Sequence, residues 1–353
     1  MSHVECVNLV STFLEQPGNA RNALLAGSAL FDAGETELAV ALWTLGDDAN
    51  ALVRRIKDRS ESPLEGRERS RRADYELCRF LTDLHAGAVD SFEAKTATQV
   101  DRVRHAVWPM THVEQGEFRT PMQRPLIFYM PDLPANPVEP NDAFDWVAAL
   151  QASTDVIRQE YVASVDNGAD DQPYVPAATN AQGWERLRGS HDWSAIHLFQ
   201  DAKATPMLGR YPETAKALAA VDMARIDGVP MEAFFSRLKP GAHIPAHFGL
   251  TNSRLTVHLP LIVPNDCEIR VGADIYQWRR GEVFAFDDSF EHEAWNRSDA
   301  DRVVLIFETH HPDLSMDERA AIEHVFTVRQ RWLDGRRAKL VEWLVKAGAT
   351  TEQ

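Results

Sequence analysis

Two histidines and an arginine in the last third of the chain, His247, His292 and Arg302, lie in or beside stretches whose residues alternate between apolar and polar. Such alternation is the mark of a strand, because successive side chains leave a strand on opposite faces. From Arg254 to Val263 one parity holds Leu255, Val257, Leu259, Leu261 and Val263, an apolar set expected to pack outward against a second layer. The other parity begins Arg254, Thr256 and His258. A guanidinium, a hydroxyl and an imidazole on one face of an apolar strand imply a polar interior that takes a ligand. Arg302 shares parity with Val304, Ile306 and Glu308 and can face the same interior, while His292 follows an Asp-Asp-Ser turn and His247 comes just before the first strand. Neutral imidazoles suit divalent iron. The planar, permanently charged arginine fork suits the carboxylate of an anionic co-substrate. The chain has 13 histidines, however, and any single one is more often a hydrogen-bonded structural residue than a ligand, so spacing alone leaves both readings open.

The segments HFGLTNSRLTVHLPLIVP, FDDSFEHEAWN with Arg302 ten residues after His292, and the closing HHPDL resemble the catalytic domain of the aspartyl/asparaginyl β-hydroxylases, oxygenases that use Fe(II) and 2-oxoglutarate. The resemblance is strong over 193–314, thinner over 125–193 and weak or absent elsewhere. It implies an α+β chain whose core is a double-stranded β-helix, a jelly-roll or cupin-like barrel. It also implies that His247 and His292 hold the metal, that Arg302 and Ser236 grip the distal carboxylate of 2-oxoglutarate, and that His258 lies near the metal-bound end. Most related oxygenases add a carboxylate ligand two residues after the first histidine. Gly249 stands there, as in these hydroxylases, which leaves that position to water. Members that hydroxylate aspartyl residues carry a second arginine two positions after the one matched by Arg254, and this chain has Thr256. Arg254 with Thr256 is thus the expected contact for a substrate carboxylate, and Lys203 a further substrate cation. The activity so implied is β-hydroxylation of an aspartyl or asparaginyl group, using dioxygen, in a peptide, a carrier-bound intermediate or a free amino acid. The same chemistry on another amino acid or an acyl chain, and a non-catalytic module that binds metal or 2-oxoglutarate, are the alternatives.

Other elements must hold these residues in place. At 353 residues, 44% apolar and 25% charged, the chain has room for a substantial core. Its net charge of -16 argues against a nucleic-acid partner, since phosphate binding needs a concentrated basic surface. The first residues lack signal-peptide features, no run reaches the length of a membrane span, and the three cysteines show no paired spacing. A cytoplasmic setting without membrane contact is the expectation.

Residues 1–115 read as helical. Leu24, Leu25, Ala29 and Leu30, then Leu38, Leu42 and Leu45, with a break at Ala33-Gly34, suggest a tetratricopeptide-like hairpin, expected to cap the barrel rather than bind peptide. The resemblance places the expected oxygenase domain in residues 116–314. Six prolines between Pro121 and Pro140 imply extended connections, and Asn141 is placed to cap a helix carrying Phe144 and Val147. The loop over 165–184 could serve as a substrate lid or be plain surface. Trp193, Ala195, His197 and Phe199 share one face of an entering strand, Pro212 opens a helix, and His243 reads as an exposed turn residue. In 315–353, Ser315 and Glu318 match a capping box that starts a C-terminal helix. Its stripe of Val325, Val328, Trp332, Leu340, Trp343 and Leu344 is expected to pack on the catalytic domain, and a homodimer would use the same surface.

Overall fold

The computed structural model describes residues 2–49, 52–112, 116–166, 171–179 and 183–348. The expected loop over 165–184 falls partly outside them. Two compact units emerge, one of Met1–Ala97, Met110–Gln115 and Val325–Gln353, the other of Thr98–Pro109 and Gly116–His324.

The first unit is helical. Helices α1 (His3–Glu15), α2 (Ala20–Asp32), α3 (Thr36–Asp48) and α4 (Leu64–Thr96) bury Phe13, Leu30, Leu42, Trp43 and Leu77 in one cluster. The α2–α3 hairpin turns at Gly34, whose φ of +86° few side chains tolerate. The helices cross closely because Gly27 has no side chain: a Cβ there would lie 2.1 Å from the Trp43 ring. Trp332, Leu340 and Leu344 of the last helix, Met316–Lys346, join this cluster, so the C-terminal stripe packs within the helical unit instead of on the sheets. Periodicity identifies an apolar face but not the surface that covers it. The capping box does form: Ser315 N–H donates to Glu318 Oε2 (2.9 Å) and Glu318 N–H donates to Ser315 Oγ (3.2 Å).

The second unit is built on two antiparallel sheets. Its main strands are β1 (Trp193–Gln200), β2 (Ala233–Leu238), β3 (His243–His247), β4 (Arg254–Ile262), β5 (Cys267–Val271), β6 (Asp274–Gln277), β7 (Phe284–Phe286), β8 (His292–Asn296) and β9 (Arg302–His310). The larger sheet runs β7-β4-β9-β2-β1, edged by the two-residue strands Val138–Glu139 and Gln172–Pro173, and the smaller runs β6-β5-β8-β3. From β2 to β5, and again from β6 to β9, successive strands alternate between the sheets, the topology of a double-stranded β-helix.

The outer face of the larger sheet carries Leu255, Val257, Leu259 and Leu261 of β4 with Val303, Leu305 and Phe307 of β9, covered by Ile157 and Tyr161 of helix Thr154–Asp166 and Leu218 of helix Pro212–Ala219. Val263 leaves this set. A β-bulge where Val303 pairs with Ile262 and Val304 with Pro260 inserts a residue into β4 and reverses the parity beyond it, so Val263 packs between the sheets. A similar irregularity between His197 and Phe199 puts Phe199 against the outer cluster rather than on the face of His197. Asn141 opens a short 3-10 turn without a side-chain cap, and the following helix begins only at Val147.

Candidate functional site

Register brings together what sequence separates. In the smaller sheet His292 of β8 lies directly opposite His247 of β3, and their ring centroids are 4.0 Å apart. Each ring bonds back to its own strand, His247 Nδ1 to Pro245 O at 2.8 Å and His292 Nδ1 to Phe290 O at 3.0 Å. A carbonyl can only accept, so both Nδ1 atoms carry the proton and both Nε2 atoms present a lone pair. Burial pushes the pKa of His247 down, and burial together with the neighbouring His247 takes His292 to about 3. Both rings are neutral at physiological pH, the form that ligates a metal. Among the described residues no cluster of three His, Cys, Asp or Glu side chains is spaced to hold a metal, so these imidazoles would be the protein's whole contribution.

Across the interior, the larger sheet presents Arg302, with 1% of its surface exposed. Its Nη1 donates to Ser236 Oγ at 3.4 Å and its guanidinium lies 4.8 Å from the Trp278 ring centre. Its Nε has no hydrogen-bond partner, no carboxylate among the described residues pairs with it, and burial lowers its pKa to about 10. Leaving a cation in this state is costly. Trp193 Nε1 also donates to Ser236 Oγ (3.0 Å), so the hydroxyl accepts two donors and has its own proton to give to an anion beside Arg302. His258 is buried and accepts from Trp278 Nε1 at its Nδ1 (3.1 Å), which makes its Nε2 a donor. Burial, then the charge of Arg302, holds its pKa well below the usual histidine value.

These groups line one cavity of about 380 Å³. His247, His292, Arg302, Ser236, His258 and Thr256 all border it. The two other expected contacts do not. Lys203 is exposed on a two-residue strand, and Arg254 Nη1 lies 3.2 Å from Glu308 Oε2. His243 is a strand residue, stacked on Trp295 and 3.0 Å from Glu293.

Gly249 has a steric reason to be glycine. A Cβ there would lie 2.0 Å from Cγ of Asp288, whose carboxylate fills the space in front of the backbone and accepts a hydrogen bond from the Thr256 hydroxyl at 3.0 Å. Burial, then the charges of Glu308 and Asp287, raises the pKa of Asp288 well above the ordinary carboxylate value. Sequence reading missed this role for Asp288, although the Asp-Asp pair was visible, because its contact with Gly249 crosses between two loops. Trp278 and Trp193, which orient His258 and Ser236, gave no local signal.

With this geometry in hand, similarity to known proteins can be placed on it. Residues 151–312 match the family model described as Aspartyl/Asparaginyl beta-hydroxylase. The human aspartate beta-hydroxylase domain-containing protein 2 is 32% identical over 225 residues, 60% of this chain and 58% of the relative. The human aspartyl/asparaginyl beta-hydroxylase is 30% identical over 188 residues, 50% of this chain and 22% of that protein. Residues 151–312 are thus similar to the aspartyl/asparaginyl β-hydroxylases. The chain spans roughly three-fifths of the length of the domain-containing relatives it matches. The family segment includes every site residue described above, whereas helices α1 to α4 lie outside it. Among solved structures, AviO1 from Streptomyces viridochromogenes Tue57 is 17% identical, covering 51% of this chain and 90% of that one with a TM-score of 0.30. That likeness is slight, and the architecture of the family segment rests on its strand order.

Proposed function

We propose that the chain is an Fe(II)- and 2-oxoglutarate-dependent hydroxylase of an unactivated carbon. The observation that carries this reading is Arg302, a buried guanidinium without a carboxylate, in the same cavity as two neutral imidazoles that present free Nε2 atoms. The donor set fits the group: nitrogen ligands for the metal, and a cation, a hydroxyl and an imidazole N–H for a dicarboxylate.

His247 and His292 would hold the iron, which with 2-oxoglutarate and dioxygen supplies the oxidising chemistry, yielding succinate, carbon dioxide and a hydroxylated acceptor. Arg302 and the Ser236 hydroxyl bind the distal carboxylate. Trp193 fixes the hydroxyl and Trp278 fixes His258, so the Nε2–H of His258 would be left to donate to the co-substrate. The Pro245 and Phe290 carbonyls orient the metal-binding rings. The apolar walls Ile244, Ile269, Phe286 and Ile306 keep water from the reacting carbon.

The acceptor is a small molecule or a peptide residue. An aspartyl substrate would need cations where this chain has Thr256 and an Arg254 turned to Glu308, and that observation favours a different acceptor. The reading is tested by titrating 2-oxoglutarate into the protein with Fe(II) under anaerobic conditions, then admitting oxygen and measuring succinate. Metal-dependent binding and succinate release are expected, and absence of both would overturn it.

A further inference from the structure

The cavity carries opposite charge at its two ends. On its inner wall Arg302 and Glu308 share the face of β9, six residues apart, about 20 Å along a strand. Thr256 pairs with Glu308, and one further step of the Val304–Ser236, Ile306–Phe234 register puts Glu232 across from Glu308. Asp201 borders the same region. Asp201, Glu232, Asp288 and Glu308 all line the cavity, while Arg302 is the one lysine or arginine that does so among the described residues. Arg254, on the same strand face as Thr256, lies 3.2 Å from Glu308 Oε2 and offsets part of its charge, although the pair lacks hydrogen-bond geometry. Burial, then the charges of Glu308 and Asp201, raises the pKa of Glu232 to about 7, with Arg254 offsetting part of that effect. Aromatic rings line the cavity between its two ends: Tyr174, near Glu232 and Glu308, stacks on Phe234 at 5.3 Å and on Trp193, which bonds Ser236 beside Arg302, at 3.9 Å, and Trp184 meets His247 edge-on at 5.1 Å. Carboxylates beside aromatic faces form a receptor for an organic cation. Arg302, buried at the opposite end with its Nε unpartnered and no carboxylate among the described residues beside it, marks the same cavity as one that receives a charged ligand.

We infer that the acceptor carries an ammonium or guanidinium group, received by Glu232 and Glu308, so that the carbon to be hydroxylated lies over the His247–His292 pair. This rests on the oxygenase reading and names its substrate class.

The test is calorimetric titration of the full chain with the Nα-acetyl amides of lysine, arginine, asparagine and aspartate. Each is run with and without Mn(II) and 2-oxoglutarate in the absence of oxygen. The lysine or arginine derivative should bind at least about tenfold more tightly than the asparagine derivative, with the aspartate derivative weakest. Glu232→Gln should cut the cation preference about tenfold without strengthening the asparagine derivative comparably. Tighter binding of the asparagine or aspartate derivative, equal binding of all four, or a cation preference untouched in Glu232→Gln would overturn the inference. If the variant does not fold, the wild-type order decides. A separate titration with 2-oxoglutarate and Mn(II) reports on the oxygenase reading, so loss of either conclusion is visible without the other.

Discussion

The two ends of the cavity solve opposite electrostatic problems. At one, Arg302 is a cation with no counter-charge, held by a neutral hydroxyl and an indole face. At the other, Glu232, Glu308 and Asp201 lie close enough to raise the pKa of Glu232, with Arg254 beside Glu308. Folding would favour pairing these groups with each other. The larger sheet instead keeps Arg302 and Glu308 some 20 Å apart on one strand face, with the imidazole pair on the smaller sheet. A buried cation without a carboxylate marks where an anionic ligand completes the structure, and the excess of carboxylates at the other end suits a ligand of opposite charge.

The strongest test of this division is at its centre. His292→Ala should reduce succinate formation by well over about a hundredfold, since even losing a partner that merely orients a metal ligand costs 10–100-fold; near wild-type turnover would remove the metal from between the two ends. Arg302→Met probes the cationic end with two readouts of opposite sign. Affinity for 2-oxoglutarate should fall by about a hundredfold, because losing one partner of a desolvated charge pair costs roughly 2–5 kcal/mol. Without 2-oxoglutarate the same variant should unfold at higher temperature, gaining about 1–2 kcal/mol, because an uncompensated buried charge has been replaced by a side chain that packs. A variant both weaker in binding and less stable would mean that Arg302 is part of the scaffold.

Gly249→Ala brings a methyl against the Asp288 carboxylate and should cost about 1–3 kcal/mol in denaturant unfolding, with no comparable loss in Gly249→Ala combined with Asp288→Ala. The smallest effect belongs to the acidic end. Glu232 titrates near 7 when folded against 4.5 as its ordinary value, so the folded state binds more protons between those values and stability falls as pH rises from about 4.5 to about 7. His292, depressed to about 3, acts in the other direction between about 3 and 6.5. The melting temperature of Glu232→Gln relative to wild type should therefore rise across pH 4.5–7, and a flat difference would show that Glu232 is not crowded.

Much of this was legible in the sequence wherever one strand face carried it. Thr256 and His258, and separately Arg302 with Glu308, could be assigned to the interior because period two survives over nine-residue strands. The His247–His292 pairing was not legible from spacing: the residues lie 45 apart, register alone makes them neighbours, and only family resemblance anticipated it. Parity failed at two bulges, where an inserted residue moved Val263 inward and Phe199 outward. The expected carboxylate clamp at Arg254 was lost because its partner, Glu308, comes from a neighbouring strand. The C-terminal stripe was recognised but given the wrong surface, since an apolar face looks the same whatever covers it.

Asp288 lying against Gly249 constrains how this site could be redesigned or could diverge. Installing a third protein ligand by Gly249→Asp would force two carboxylates into the volume of one, so the substitution can succeed only after Asp288 has been shortened. The route from a two-histidine centre to a three-ligand one therefore passes through paired changes, and a library that varies one position at a time would not find it.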